Sequence, residues 1–388
     1  MPLVNMKEML LHAYENGYAT GAFDLINLDF LKGVLDAAER SAAPVILSLS
    51  ESQVDSDDFE LLMPAVEMAA RKASVPVAIH LDHGRSLQSA VKAINRGCNG
   101  VMLDTSHIPQ DDNIRTTREL VEIAHGCGIA VEGEMGYATA IEGDDAECHP
   151  EEIKQFVHDS GIDFLALSID TDLARVKDGP KIDYDRLQDI NETLGIPLVI
   201  HGGDGLDDDQ FRQLIAHGVA KINYCTALGD EAGATIRKNV EAEDGDTYGN
   251  LLRGVTDAIS LEAERCMRLW GCAGRASEAL AQCTPWLPVE HLIIYNVKGL
   301  DEDGVAEMMA RGRHALSKIP GVREVVTGTA VKAEVAYRYT WLVQFCHPAV
   351  IDSYRDHPDH VAFADQVFRP VAGERISIDY QWIDGAIE

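Results

Sequence analysis

The strongest constraint in this sequence is a rhythm. Between residues 18 and 226, short runs rich in β-formers alternate with longer amphipathic stretches. The runs are TGAFD (20–24), PVILSLS (44–50), VPVAIHLDH (75–83), GVMLD (100–104), AVEGEMG (130–136), FLALSID (164–170), PLVIHGG (197–203) and AKINYCT (220–226). They are short and mostly apolar, as strands buried on both faces are. The stretches at 58–73, 111–125 and 207–217 are amphipathic and open near an Asp suited to an N-cap. Eight strand–helix units in series predict a closed (β/α)8 TIM barrel. A doubly wound open sheet would call for a Gly-rich dinucleotide loop after its first strand, and the sequence has none there.

The polar residues then fall at the C-terminal ends of these strands, the face on which barrel active sites are built. Strand three ends in His80-Leu81-Asp82-His83, strand four in Asp104, and strand five carries Glu132 and Glu134. Strand six ends in Asp170 and Asp172, strand seven in His201-Gly202-Gly203-Asp204, and strand eight in Asn223. Any single Asp among them reads more simply as a helix cap or a satisfied core group. Ionisable groups from six strands at one mouth are costly to bury without a cation or substrate, so a metal is the economical reading. Imidazoles with carboxylates around an open position suit Zn²⁺, with Mn²⁺, Co²⁺ or Fe²⁺ as alternatives. His83 and His201, with Glu134 between them in sequence, form the core of that ligand set.

Charge and cysteines narrow the partners. A formal net charge of −31 repels nucleic acid and anionic lipid, so neither is expected. No apolar run is long enough to span a membrane, and MPLVNMKEML lacks the basic-then-apolar order of a signal peptide. Eight scattered cysteines without a CxxC pair fit reduced thiols and a cytoplasmic location.

HLDHG (80–84), VMLDTSH (101–107), VEGEMG (131–136), VIHGGDG (199–205) and KINYCTAL (221–228) resemble the motifs of class II fructose- and tagatose-bisphosphate aldolases. NGYATGAFD (16–24) is similar to the opening of that family, and the motifs keep the family's order over the barrel region. The resemblance implies a carbon–carbon lyase of carbohydrate metabolism that cleaves a ketose or related β-hydroxy carbonyl compound through a metal-stabilised enediolate. It implies His83 and His201 as metal ligands, Glu134 assisting them, and Asp82 as the acid/base at the scissile bond. Glu142, on the loop after strand five, is implied as a second proton-transfer group, and Asn223 as the residue orienting the substrate. Asp24, Ser106, Gly202, Gly203, Asp204, Asn223 and Thr226 are the implied substrate contacts. The implied cofactor is one divalent metal, Zn²⁺ first and Mn²⁺, Co²⁺ or Mg²⁺ as alternatives. A Schiff-base mechanism would need a Lys at a strand end. Lys221 is the nearest, but the family carries a Lys there without that chemistry.

Two departures from the family stand out. Leu173 occupies the position of the third His ligand, so Asp172 or Asp170 replaces it or the site is weakened. An Asp in place of His would harden the site towards Mn²⁺ or Mg²⁺. In the phosphate-binding segment, Asp204 stands where the family has Ser and Ala174 where it has Gly. A carboxylate there opposes a phosphate dianion by several kcal/mol at an effective dielectric of about 20. Asp204 therefore either faces a non-phosphorylated substrate or serves as the N-cap of the helix after Leu206.

The remaining residues form a second unit. We read 1–273 as the barrel, 274–289 as a linker and 290–388 as a ferredoxin-like α+β domain. The expected elements are strands at 291–297, 322–329, 339–345 and 376–382 and helices at 304–318, 348–355 and 358–367. EHLIIYNVKG, IPGVREV, IDSYRDHPDHVAF (351–363) and SIDYQ resemble the stress-responsive dimeric α/β-barrel (Dabb) domains. That resemblance implies dimerisation or an apolar pocket, and His357 and His360 occupy its hallmark positions. With a barrel family of dimers and tetramers, a homo-oligomer acting on a small molecule is expected. Two other readings remain open: a non-catalytic binding scaffold, motivated by Leu173, and a two-step enzyme whose second domain acts on the barrel's product.

Overall fold

The computed structural model describes residues 2–54, 59–139, 150–168, 182–201, 203, 205–242 and 247–381. The chain divides into two compact units. The first holds eight parallel strands: β1 (Thr20–Asp24), β2 (Val45–Ser50), β3 (Val77–Gly84), β4 (Gly100–Leu103), β5 (Ala130–Thr139), β6 (Phe164–Ser168), β7 (Leu198–His201) and β8 (Val219–Tyr224). They close in sequence order, β8 pairing back onto β1 with Ala22 opposite Asn223. The expected TIM barrel is the observed one.

Strand alternation sorts the side chains by parity. Ala22, Ile46, Ala78, Met102, Phe164, Ala166 and Val199 belong to one buried cluster, which Val4, Met6, Met9 and Leu10 of the N-terminal segment complete. Two residues after Ala22, Ile46, Ala78 and Val199, the same parity brings Asp24, Ser48, His80 and His201 in place of alkyl groups, and Asp104 follows Met102 just past β4. The barrel axis thus passes from an apolar floor to a polar mouth within one pleat repeat.

Local signals explain the helices around it. Asn27 caps Leu28–Ser41 by accepting from Asp29 and Phe30 N–H. Asp207 caps Asp208–Ala216 in a reciprocal box with Gln210. The stretch read as a linker contains the helix Ala276–Gln282, with Ala279 fully buried and part of the barrel's floor cluster together with Cys283. Its small apolar residues made it look loose in sequence, yet they are the size that close packing at the floor requires.

The second unit is built on an antiparallel sheet of β9 (Val289–Val297), β10 (Val322–Thr329), β11 (Tyr339–Phe345) and β12 (Ala372–Tyr380), in the order β10-β11-β9-β12. Its helices are Glu302–Leu316, Val350–Asp356 and Pro358–Phe363, the last continuing as a π-turn over Ala364–Phe368. The first begins two residues earlier than the sequence predicts, because Asp301 accepts from Gly304 N–H and fixes the start there. Trp341, Val343 and Tyr295 are buried on one sheet face. The order and direction of strands match the ferredoxin-like expectation.

Candidate metal centre and active site

His83 and His201 meet across the barrel mouth. His201, the last residue of β7, places Nδ1 2.8 Å from His83 Nε2, with the two rings nearly perpendicular. His83 reaches this position from a strained backbone, with φ of +48° in a region that non-glycine residues rarely adopt. The strain sits where the β3–β4 register shifts, between Leu81 and Gly84. Gly84 allows it, since a Cβ there would stand 2.7 Å from the Met102 carbonyl oxygen.

Around this pair lie the carboxylates. Asp82 is buried and its Oδ1 accepts from Asn223 Nδ2 at 2.9 Å. Asp104 Oδ2 lies 3.6 Å from His83 Nδ1. Two overlapping groups of donor atoms fall within 4.8 Å of one another: Asp82, His83 and His201, and His83, Asp104 and Glu134. Glu134 and Asp104 thus share a group with His83; the sequence placed Asp104 at this mouth but left it out of the ligand set.

Of the other expected contacts, Ser106 donates to Asp104 Oδ1 at 2.8 Å and so lies on the rim. Asp24 ends β1 beside Asp82, whose charge acts on it. Thr226 is exposed at the first turn of the helix Thr226–Val240. Gly203 lies just past β7. Glu142, Asp170, Asp172, Leu173, Ala174, Gly202 and Asp204 lie outside the described residues. For Asp204, the cap of the following helix is nonetheless taken by Asp207.

Electrostatics divide these groups by protonation state. Burial disfavours the His83 cation, but Asp104, Asp82 and Glu134 outweigh it and raise its pKa to about 9. His83 is then an imidazolium that directs Nδ1–H to Asp104 and Nε2–H to His201. Burial pushes Asp82 up, yet its neighbours, His201 and Lys221 first and then His83, hold it below the usual carboxylate range. Asp82 is an anion, the form a general base requires. Glu134 and Asp24 go the other way, raised chiefly by burial, with Asp82 adding to the shift of Asp24.

Beneath the mouth lies a fully buried charged layer. Lys221 Nζ contacts Glu132 Oε2 at 2.7 Å, and Glu132 Oε1 accepts from His201 Nε2 at 2.7 Å. His80 Nε2 is 3.8 Å from the same carboxylate, and neither His80 ring nitrogen has a hydrogen-bond partner. Burial and the Lys221 charge lower His80 to about 3, so it is neutral. Lys221 is committed to an ion pair, which argues against the Schiff-base role.

The donor set fits a divalent cation. Two imidazoles turn ring nitrogens towards one point, and carboxylates flank them on both sides. Among the described residues, the tail unit offers no such cluster. There, His357 caps its helix by accepting from Asp359 N–H, and the His360 ring packs on Tyr354 with centroids 4.4 Å apart. His360 lines a small apolar cavity with Trp341, Phe363 and Phe368.

Comparison with known proteins agrees with this geometry. The family model for class II fructose-bisphosphate aldolase matches residues 4–275, and that for the stress-responsive A/B barrel domain matches residues 289–382. A fructose-bisphosphate aldolase of Staphylococcus epidermidis is 37% identical over 286 residues, covering 71% of this chain and all of the relative. A probable fructose-bisphosphate aldolase of Bacillus subtilis is 39% identical over the same length and coverage. The crystal structure of the YdjI aldolase from Escherichia coli K12 superimposes with a TM-score of 0.63 at 32% identity, covering 71% of this chain and 99% of that one. The chain therefore belongs to the class II fructose-bisphosphate aldolase family of carbon–carbon lyases, whose members generally depend on a divalent metal, and carries a stress-responsive A/B barrel domain C-terminal to the barrel in sequence.

Proposed function

We propose that this chain is a metal-dependent retro-aldolase acting on a non-phosphorylated ketose or related β-hydroxy carbonyl compound. The observation that carries the first half is the approach of His83 Nε2 to His201 Nδ1 at 2.8 Å beside an ionised Asp82. His83, His201 and Glu134, with Asp104 at hand and Asp172 as the substitute for the missing His, would hold the metal. Their mix of nitrogen and oxygen donors suits Zn²⁺, with Mn²⁺, Co²⁺ or Mg²⁺ as alternatives. When bound, the metal supplies Lewis-acid stabilisation of the negative charge that develops on the substrate.

Asp82 performs the proton transfer. Its carboxylate takes the proton from the hydroxyl on the carbon being released, and the carbon–carbon bond breaks as that carbon becomes a carbonyl. The electron pair passes to the other fragment, which is then protonated at carbon; Glu142 is the group we assign to that step. Asn223 positions Asp82 through its amide N–H, while its Oδ1 is buried without a partner and is the acceptor we assign to the substrate.

The second half rests on Asp204, which replaces a Ser in the phosphate-binding segment. A carboxylate there favours a hydroxyl or a cation over a phosphate dianion. The protein would act in the cytoplasm, in keeping with its reduced thiols.

We also assign self-association to the tail. Ile376, Ile378 and Tyr380 share one face of β12 and are each about two-fifths exposed. Ile376 pairs with Ile294 and Ile378 with Leu292, so the apolar stripe continues onto β9. An uncovered apolar sheet face of this kind marks an association surface. A homo-oligomer, dimer or tetramer, follows.

The experiment is a cleavage screen of ketoses and other β-hydroxy carbonyl compounds, with and without phosphate, after loading with each metal ion. Metal-dependent cleavage that favours the unphosphorylated members supports the reading. Turnover confined to bisphosphates overturns its second half, and absence of both metal binding and cleavage overturns the first.

A further inference from the structure

We propose that the buried Glu132–Lys221 pair is a positioning device that fixes the tautomer and orientation of His201 and thereby sets the metal affinity of the mouth. The inference rests on the reading of His201 as a metal ligand.

The argument begins with donor and acceptor counting. An ionised carboxylate only accepts, so the 2.7 Å contact between Glu132 Oε1 and His201 Nε2 requires a proton on Nε2. A neutral imidazole with a proton on Nε2 has its lone pair on Nδ1, and Nδ1 is the nitrogen facing His83. Were the proton on Nδ1 instead, a lone pair would meet the carboxylate and the mouth would lose a ligand atom.

Glu132 can hold this role only if it stays charged and still. Lys221 secures both conditions: it lies at 2.7 Å from Glu132 Oε2, and both side chains are completely buried. The geometry is also indifferent to the substrate. Lys221 sits on β8, one pleat repeat below Asn223, and Glu132 sits one below Glu134, so neither reaches the mouth itself. A buried ion pair is a poor source of stability compared with well-packed apolar residues. Its retention beneath a ligand histidine is therefore better explained by what it does to that ligand. Carboxylate partners of metal-bound histidines are worth about 10–100-fold in metal affinity.

The test has two parts. Long-range ¹H–¹⁵N correlation on metal-free protein with ¹⁵N-labelled histidine reads the His201 tautomer directly, assigned by loss of the signal in His201→Gln. The proposal expects protonated Nε2 and bare Nδ1; protonation at Nδ1 alone overturns it, and this measurement needs no variant of the pair. The second part uses the full-length double variant Glu132→Gln/Lys221→Met, which removes both charges together. Its Zn²⁺ and Co²⁺ dissociation constants are measured by chelator competition, with the Co²⁺ absorption spectrum as the geometric readout. The expected result is affinity reduced about tenfold or more and an altered Co²⁺ spectrum, with native circular dichroism. A folded double variant with unchanged affinity overturns the proposal. Should the wild-type protein bind neither ion, it is the aldolase reading that fails, and the tautomer measurement still decides the role of Glu132.

Discussion

His201 Nδ1 lies 2.8 Å from His83 Nε2, an approach that joins the end of β7 to the end of β3. Two imidazoles that close are held by a shared proton or by a metal. In the metal-free protein the proton comes from His83, whose three carboxylate neighbours favour its cation. A metal must displace that proton. Replacing His83 or His201 by Ala therefore removes the bound metal, measured by mass spectrometry of purified protein, and cleavage falls with it. Full metal occupancy in both variants would show that the cation sits elsewhere.

Under the proposed mechanism, Asp82 separates binding from chemistry. Its Oδ1 is held by Asn223, and Lys221 and the His83 cation favour its ionised form. Asp82→Asn preserves size and the contact to Asn223 but cannot accept a proton. The expected outcome is retained metal with kcat reduced about 10²–10⁴-fold and KM little changed. A variant with near wild-type kcat would assign the proton transfer to another group.

Lys221 offers a test of mechanism and of folding in one residue. Leaving Glu132 without its partner strands a buried charge, so Lys221→Met should destabilise the protein by about 3–5 kcal/mol in denaturant unfolding. A Schiff-base enzyme would be trapped covalently at this lysine by borohydride in the presence of substrate. Recovery of unmodified Lys221 after such treatment is the expected result, and a labelled Lys221 peptide would reverse the mechanistic assignment.

How much of this could be read from the chain alone follows from strand parity. Asp82, Glu134, His201 and Asn223 lie at strand ends, and the period of two that turns them inward is visible once the strands are recognised. The same period turns His80, Glu132 and Lys221 inward one step lower, and there the sequence is ambiguous. A charged residue inside a barrel reads equally as ligand, base or filler until its partner is known. That partner comes from a different strand: Lys221 from β8 meets Glu132 from β5, contacts 89 residues apart. Asp104 was placed at the mouth but not paired with His83, and the left-handed turn at His83 is the local feature beside that contact. The helix at Ala276–Gln282 was hidden by composition, its alanines and serine resembling a loose connector.

His80 gives the stability a pH dependence of known sign. Its pKa is about 3 in the folded protein and about 6.5 unfolded, so the unfolded chain binds the extra proton. Stability is therefore full above pH 6.5 and declines as pH falls towards 3, by about 2 kcal/mol at pH 5. His80→Leu, which cannot be protonated, should lose this part of the slope between pH 7 and 5 in urea unfolding. An unchanged slope would mean that other groups account for it.

Asp204 carries the substrate prediction. Asp204→Ser removes a negative charge from the segment to which the family resemblance assigns phosphate, and at an effective dielectric of about 20 that charge opposes a dianion by several kcal/mol. The variant should gain about tenfold or more in kcat/KM for a phosphorylated ketose, with little change for the unphosphorylated compound. Steady-state kinetics on the two substrates decides it. No gain for the phosphate ester would show that Asp204 does not face the substrate, and the search for its chemistry would move to the rim, where Ser106 and Asp104 stand.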